Sequence, residues 1–279
     1  MVPSAFDYHR PQTLNEAVRL LSSTEDAKVL AGGHSLVPAM KFRLAQPKAI
    51  IDISRIADLS YIREANGQIQ IGAMTTHHLI ESSDVLRNKC PLLSETAANI
   101  GDVQVRNRGS IGGSLAHADP AADWPAAILA LDAELVINGP DNQRTVKATD
   151  FFVDIMQTAL QPNEILSEIR VPTTGKSVAY VKFAQKASGF AIAGVASWID
   201  KKANSVRVGV TGIAAKPYRA TAVEQALQGR PVSSAAIAEA ARKAAQGADP
   251  LNDIHASAAF RAHLAEVNTR RSLELANSR

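Results

Sequence analysis

The chain has 279 residues, 46% of them hydrophobic, and a formal charge of only +3, which is enough apolar material for a sizeable core and two or three compact domains. A single cysteine excludes an internal disulfide and any thiolate-held iron–sulfur cluster or zinc site built by this chain alone, and dispersed Lys and Arg with 5% aromatic residues argue against a nucleic-acid groove. No run of about 18 apolar residues is present to span a bilayer, and "MVPSAFDYHRPQ" lacks the basic and apolar regions of a secretory signal, so a cytoplasmic protein is expected.

Along the chain, "TLNEAVRLL" (13 to 21) places Thr13 three residues before Glu16, a capping box opening an amphipathic helix with Leu14, Val18 and Leu21 on its apolar side. "AKVLA" (27 to 31) reads as a strand ended by a glycine turn, and "KAIIDIS" (48 to 54) as a second, giving a small βαβ-like unit. "GQIQIGAM" (67 to 74) alternates like a strand, "PLLSETAANIG" (91 to 101) reads as a helix, and "PAAILALDAELVI" (125 to 137) as a helix running into a strand. "EILSEIRVP" (164 to 172) is another alternating strand, and the turn-rich "PTTGKS" (172 to 177) is the best boundary. Three strand-like runs follow, "VAYVKFAQ" (178 to 185), "IAGVASWID" (192 to 200) and "SVRVGVTGIA" (205 to 214). Helices are predicted over 219 to 229, 233 to 247 and 257 to 276, and neither a repeat nor a low-complexity tract is present.

Two glycine runs carry the chemistry. "LAGGHSLVPAMKFRL" (30 to 44) puts Gly32-Gly33-His34-Ser35 after an apolar strand, and "RNRGSIGGSLAHADPAADWP" (106 to 125) puts Gly112-Gly113 between Ser110 and Ser114. Glycine permits positive φ and close approach of the backbone, and successive N–H groups in such a turn form an anion site. Either run alone reads better as a tight turn between a strand and the next segment; two of them can clasp a diphosphate from both sides. A side chain at Gly33 or Gly112 is then expected to block that approach. Neither is a Rossmann fingerprint or a Walker loop, because no G-x-G-x-x-G opens a helix and no Gly-Lys-Ser/Thr follows. Asp123 has two readings of equal weight on spacing: a carboxylate accepting from sugar hydroxyls, or the N-cap of a helix beginning at Trp124-Pro125.

These runs, with "AFDYHRPQTLNEAVRLL", "FFVDIMQTALQPNEILSEIRVP" and "YVKFAQKASGFAIAGVA", closely resemble the FAD-binding medium subunit of the molybdenum hydroxylases, the group of carbon monoxide dehydrogenase, xanthine dehydrogenase and related N-heterocycle hydroxylases. The resemblance covers nearly the whole chain. It implies an α+β fold: a flavin domain of the vanillyl-alcohol-oxidase type over residues 1–175, with subdomains at about 1–56 and 57–175, then a C-terminal domain over 176–279 with a three-stranded antiparallel sheet and helices. It also implies FAD bound at Ala31, Gly32, Gly33, His34 and Ser35 and at Ser110, Ile111, Gly112, Gly113 and Ser114. Most relatives have Thr at 110 and many have Asn at 114. Asp123 matches a carboxylate that binds the cofactor's hydroxyls, Lys182 a lysine near the flavin ring, and Phe190 a position where carbon monoxide dehydrogenase relatives place a tyrosine.

The division of labour implied is an electron-transferring subunit with no general acid, base or nucleophile of its own. A large subunit holds a molybdenum–pterin cofactor, a small subunit holds two-iron two-sulfur clusters, and the assembly is a dimer of heterotrimers. The alternatives are a stand-alone flavin reductase of the same fold and a flavin-free interaction module. Apart from the resemblance, Lys182 reads as a solvent-facing strand lysine sharing a face with Tyr180, and Phe190 as a core residue. His77-His78 lacks companion metal ligands and reads as a helix-start or surface pair, and Cys90 as a small buried or loop residue. His34 is read as a loop residue whose N–H matters more than its ring.

Overall fold

Thr13 opens the first helix as its spacing predicts. Its Oγ1 accepts from the Glu16 N–H at 3.2 Å, and the Glu16 carboxylate reaches back to the N–H of Gln12, one residue earlier than in a regular capping box. In the computed structural model, which describes residues 1–279, this helix (Leu14–Ser23) buries Ala17, Val18 and Leu21 against a three-stranded parallel sheet. The spatial order of that sheet is Asp7–His9, Ala49–Asp52, Ala27–Leu30. The βαβ unit is therefore present, with Leu36–Lys41 as its crossover helix and Asp7–His9 added on the far edge.

A second, antiparallel sheet has five strands in the order Ile62–Ala65, Gln68–Gly72, Ile165–Pro172, Glu134–Asn138, Gln143–Lys147. Ile169 pairs with Ile71 on one side and Leu135 on the other, so the central strand contributes apolar side chains beside both neighbours. Helices cover this sheet, including Pro91–Ala98, Ile111–His117 and Trp124–Ala130. Ile69, Ile71, Leu115, Trp124, Leu135 and Ile169 share its core.

The C-terminal sheet is antiparallel, with strands Val178–Ala184, Ala191–Asp200 and Ser205–Thr211 and a fourth strand of two residues, Tyr218–Arg219, beyond the three predicted. The helix Ala258–Asn277 lies on it. Two of that helix's buried polar side chains serve the sheet, Asn268 Nδ2 donating to the Ala193 carbonyl and Ser272 Oγ to that of Ala179, both at 3.1 Å. Tyr180, Ala196 and Trp198 pack into the same core as Trp124 and Leu129, so this sheet is continuous with the helices that cover the five-stranded sheet. No helix is long and apolar enough to cross a membrane.

Arg261, 4% exposed, ties the loop before the long helix to the sheet. Its Nη1 donates to the carbonyls of Ile192 and Gly212, and its Nη2 to Asp253 at 2.6 Å. The guanidinium hydrogen bond to Asp253 is the main reason that carboxyl is held down at about 2. A depressed carboxyl contributes stability that is complete above its unfolded value near 3.8 and lost as pH falls through about 2. Arg261→Met should accordingly flatten the acid limb of the urea midpoint between pH ~4 and ~2, and an unchanged slope would remove the ion pair from that role.

Candidate functional site

The two glycine segments meet backbone to backbone. A Cβ placed on Gly32 would overlap the Arg108 carbonyl oxygen and lie 2.8 Å from the Gly109 Cα. Across the same seam, a Cβ on Gly113 would lie 3.2 Å from that of Ala31. The first segment is a true turn after the strand Ala27–Leu30, with Gly33 at φ +79°. No protein group accepts from the main-chain N–H groups of Ala31 to Ser35. His34 and Ser35 are exposed and the other three half-buried, and the His34 ring turns back to the Gly32 carbonyl at 3.3 Å. A run of unpartnered amides around a left-handed glycine is the donor set that a diphosphate fits.

The second segment differs from the turn expected at a strand end. It is the start of the helix Ile111–His117, because Ser110 in extended conformation caps it and Ile111 and Leu115 point to the core. Its amides are committed: Ile111 donates to Thr75, Gly112 to Ala73, Gly113 to the Ser110 hydroxyl and Ser114 to the Ser110 carbonyl. A Cβ on Gly112 would overlap that of Ala73 and lie 2.7 Å from the Ala73 carbonyl oxygen. Gly112 therefore serves close packing on the five-stranded sheet's flank, and of the segment's two serines Ser110 is buried as the helix cap while Ser114 is half-buried.

Asp123 precedes the helix Trp124–Ala130, yet its side chain makes no cap. It is 5% exposed. Its carboxylate accepts from the Tyr180 hydroxyl at 2.5 Å and from the Lys182 ammonium at 2.8 Å on one oxygen and 3.0 Å on the other. Burial pushes this carboxyl up, opposed by the Lys182 charge and the Tyr180 hydrogen bond, and burial beside Asp123 pushes the Tyr180 phenol far above its usual value. Lys182 is a buried lysine rather than a solvent-facing one. The face shared with Tyr180 is real, since both side chains reach Asp123.

Lys182 Nζ also donates to the Asn99 carbonyl at 2.8 Å. At the other end of its hairpin, Gly189 packs close to Gly101, a Cβ there lying 3.6 Å from the Gly101 Cα. Phe190, beside it, is 51% exposed and so is no core residue. The structure thus brings Lys182 and Gly189, the residue before Phe190, onto one short stretch, Asn99 to Gly101, with Asp123 on the far side of the Lys182 ammonium. Sequence reading missed Tyr180, Asn99 and the Arg108–Gly109 seam; the alternation of Tyr180 with Lys182 was the available signal for the first. His77 begins a helix as read, but is buried beside Trp124, whereas His78 is exposed. Cys90 is fully buried, which pushes its thiol up to about 12 and leaves it unreactive.

Comparison with known proteins agrees with this architecture. Residues 4–174 match the FAD binding domain in molybdopterin dehydrogenase, and residues 178–276 the CO dehydrogenase flavoprotein C-terminal domain. The carbon monoxide dehydrogenase medium chain of Hydrogenophaga pseudoflava is 41% identical, over 100% of this chain and 99% of that one. The glyceraldehyde dehydrogenase medium chain of Sulfolobus acidocaldarius is 34% identical, over 98% and 99%. A solved structure of the Hydrogenophaga pseudoflava carbon monoxide dehydrogenase lacking the Mo-pyranopterin moiety of its cofactor superposes with a TM-score of 0.95, covering 100% and 99% of the two chains at 41% identity. Fold and glycine seam define an FAD-binding α+β protein with a C-terminal antiparallel sheet. The chain belongs to the FAD-binding medium subunits of the molybdenum hydroxylases.

Proposed function

We propose that this chain is the last station of a three-subunit hydroxylase: a large molybdenum–pterin subunit oxidises the substrate, a small subunit with two-iron two-sulfur clusters relays the electrons, and this chain delivers them to an external acceptor. FAD, when bound, supplies the two-electron chemistry of that delivery. The unpartnered amides of Ala31 to Ser35 are the observation that carries the assignment. In this reading Ala31, Gly32, Gly33, His34 and Ser35 hold the diphosphate, and Ser114 offers a hydroxyl from the facing segment, whose helix start Ser110 caps. Ile111, Gly112 and Gly113 keep that segment packed close behind. Lys182 and Phe190 stand at the flavin ring, with Asp123 in the wall beside them.

The chain divides into a flavin part over residues 1–175, with subdomains 1–56 and 57–175, and a C-terminal part over 176–279, working in the cytoplasm within a dimer of heterotrimers. The full-length chain, purified, should carry about one FAD, accept electrons from dithionite and pass them to a dye, yet leave the substrates of hydroxylases of this family untouched. Co-expressed large and small subunits should restore substrate oxidation. Substrate turnover by the chain alone would make it a stand-alone flavoenzyme, and a colourless chain that never takes up FAD would make it an interaction module.

A further inference from the structure

Where the C-terminal sheet closes over residues 120–123, the main chain and the Asp123 carboxylate are held by different donors. Thr211 Oγ1 donates to the carbonyls of Pro120 and Ala122, at 3.0 and 2.8 Å, and the N–H groups of Gly212 and Ala191 donate to those of Pro120 and Ala121. These contacts fix the backbone up to Ala122, and the side chain of Asp123 is left to Lys182 and Tyr180. The Lys182 ammonium sits 2.8 Å from one carboxylate oxygen and 3.0 Å from the other. A single cation bridging both oxygens anchors the carboxylate at one point and leaves its plane free to rock about that point. The Tyr180 hydroxyl supplies a second point, donating to Oδ1 alone at 2.5 Å. Oδ2 accepts from Lys182 and from no other protein group, although an ionised carboxylate offers about four acceptor sites, so it keeps room for one more donor. Tyr180 is 4% exposed, and its hydroxyl lies over Gly194 of the neighbouring strand, where a Cβ would overlap it. Gly194 is the residue paired with Lys182. The glycine thus makes the room in which a tyrosine two positions before the lysine reaches the same carboxylate.

We propose that Tyr180 is a positioning residue for the cofactor: lodged over Gly194, its hydroxyl fixes the plane of the Asp123 carboxylate so that Oδ2 accepts from a ribityl hydroxyl of bound FAD. The inference rests on the flavin reading above, which sets Lys182 at the ring, and on the match of Asp123 to a carboxylate that binds the cofactor's hydroxyls; the ribityl chain is the hydroxyl-bearing part of FAD next to the ring. Burial beside Asp123 holds the Tyr180 phenol far above its usual value, so it stays protonated and remains a donor. Phenylalanine at this position would keep the packing in the core shared with Trp124 and lose only the donor. The carboxylate would then rock on Lys182 and hold the ribityl hydroxyl more weakly.

The test is a fluorescence titration of the flavin-free, full-length chain with FAD and with FAD analogues that each lack one ribityl hydroxyl. The parent should bind the analogue whose missing hydroxyl meets Asp123 about tenfold more weakly than FAD, the effect of one hydrogen bond to a charged group. Tyr180→Phe should bind FAD about tenfold more weakly than the parent does, and should no longer distinguish FAD from that analogue. Gly194→Ala displaces the hydroxyl from the other side; it should repeat the pattern and serves where Tyr180→Phe does not fold. A drop from parental affinity that is the same for FAD and for every analogue would make Tyr180 a packing residue only and overturn the proposal. Parental FAD affinity in Tyr180→Phe, or a parent that binds every analogue as tightly as FAD, would overturn it too. A parent chain that takes up no FAD would overturn the flavin reading itself, and the proposal with it.

Discussion

Replacing Gly32 by alanine should leave a folded chain that purifies nearly free of flavin. The added methyl would overlap the Arg108 carbonyl oxygen and sit 2.8 Å from the Gly109 Cα and 3.0 Å from the Arg108 carbonyl carbon. All three are main-chain atoms, so no side-chain rotation relieves the overlap and the two segments must move apart. Overpacking of this kind costs about 1–3 kcal/mol. The core of the parallel sheet and that of the five-stranded sheet form distinct clusters joined through Ile165 and Met74, so much of the strain falls on the seam between the two sheets. If it falls wholly on cofactor binding, affinity drops about 10- to 100-fold. Gly33→Ala should be milder: its neighbours are the flexible side chains of Val37 and Leu30, and the cost is the left-handed φ of +79°, roughly 1–2 kcal/mol. Gly112→Val should instead lower the melting temperature of the flavin-free chain, because its clash is with Ala73 inside the fold. Fluorescence titration of FAD into the flavin-free variants, beside circular dichroism, separates the three. Parental affinity in Gly32→Ala would mean that the seam does not shape the binding site.

Much of this architecture is written in local pattern. The Thr13 cap, the paired strands at 27 and 49, the helix-to-strand run ending at Asn138 and the long C-terminal helix follow from periodicity and capping chemistry alone. The strand Gln143–Lys147 was not legible: its alternation of exposed and half-buried positions is carried by Arg144 and Val146, and a long polar side chain lying along a sheet is not an apolar signal. The second glycine segment was misread for a different reason. Glycines usually punctuate, but here Ser110 caps and Ala73 leaves no room for a side chain, so the same residues start a helix. Lys182 and Phe190 exchange the positions their types prefer, the lysine buried on Asp123 and the phenylalanine half-exposed. Such inversions of local preference mark places where tertiary contacts or a function override it. No feature of single-residue propensity could place Gly32 against Arg108, since that contact exists only once two sheets have docked.

Between about pH 6.5 and 4, a second variant should separate from the parent by about 3 kcal/mol of stability. His77 is 4% exposed, and its Nδ1 accepts from the Trp124 indole N–H at 3.1 Å, which leaves the ring proton on Nε2. Burial first, then the charges of His34 and Arg106, hold the imidazole down to about 4 from 6.5. A histidine that stays neutral in the folded chain and charges in the unfolded one costs nothing above pH ~6.5, and stability drains away as pH falls toward ~4, because the unfolded state binds the extra proton throughout that window. His77→Asn offers an oxygen near the Nδ1 position for Trp124 and cannot charge, so its denaturant midpoint should be nearly flat where the parent's falls. The position of the ring carries the effect to the site. A Cβ on Gly109 would lie 2.6 Å from His77 Nε2, and Gly109 is the residue against which Gly32 packs. An imidazolium that gives up the Trp124 donor and repels Arg106 must move, and the surface it supports is the glycine seam. Flavin should therefore leave the parent as pH falls through about 4, where the folded chain's imidazole first takes a proton, and stay longer on His77→Asn, as followed by the rise in free-FAD fluorescence. Matching acid profiles for the two proteins, in both midpoint and flavin release, would assign the acid sensitivity of the seam to some other group.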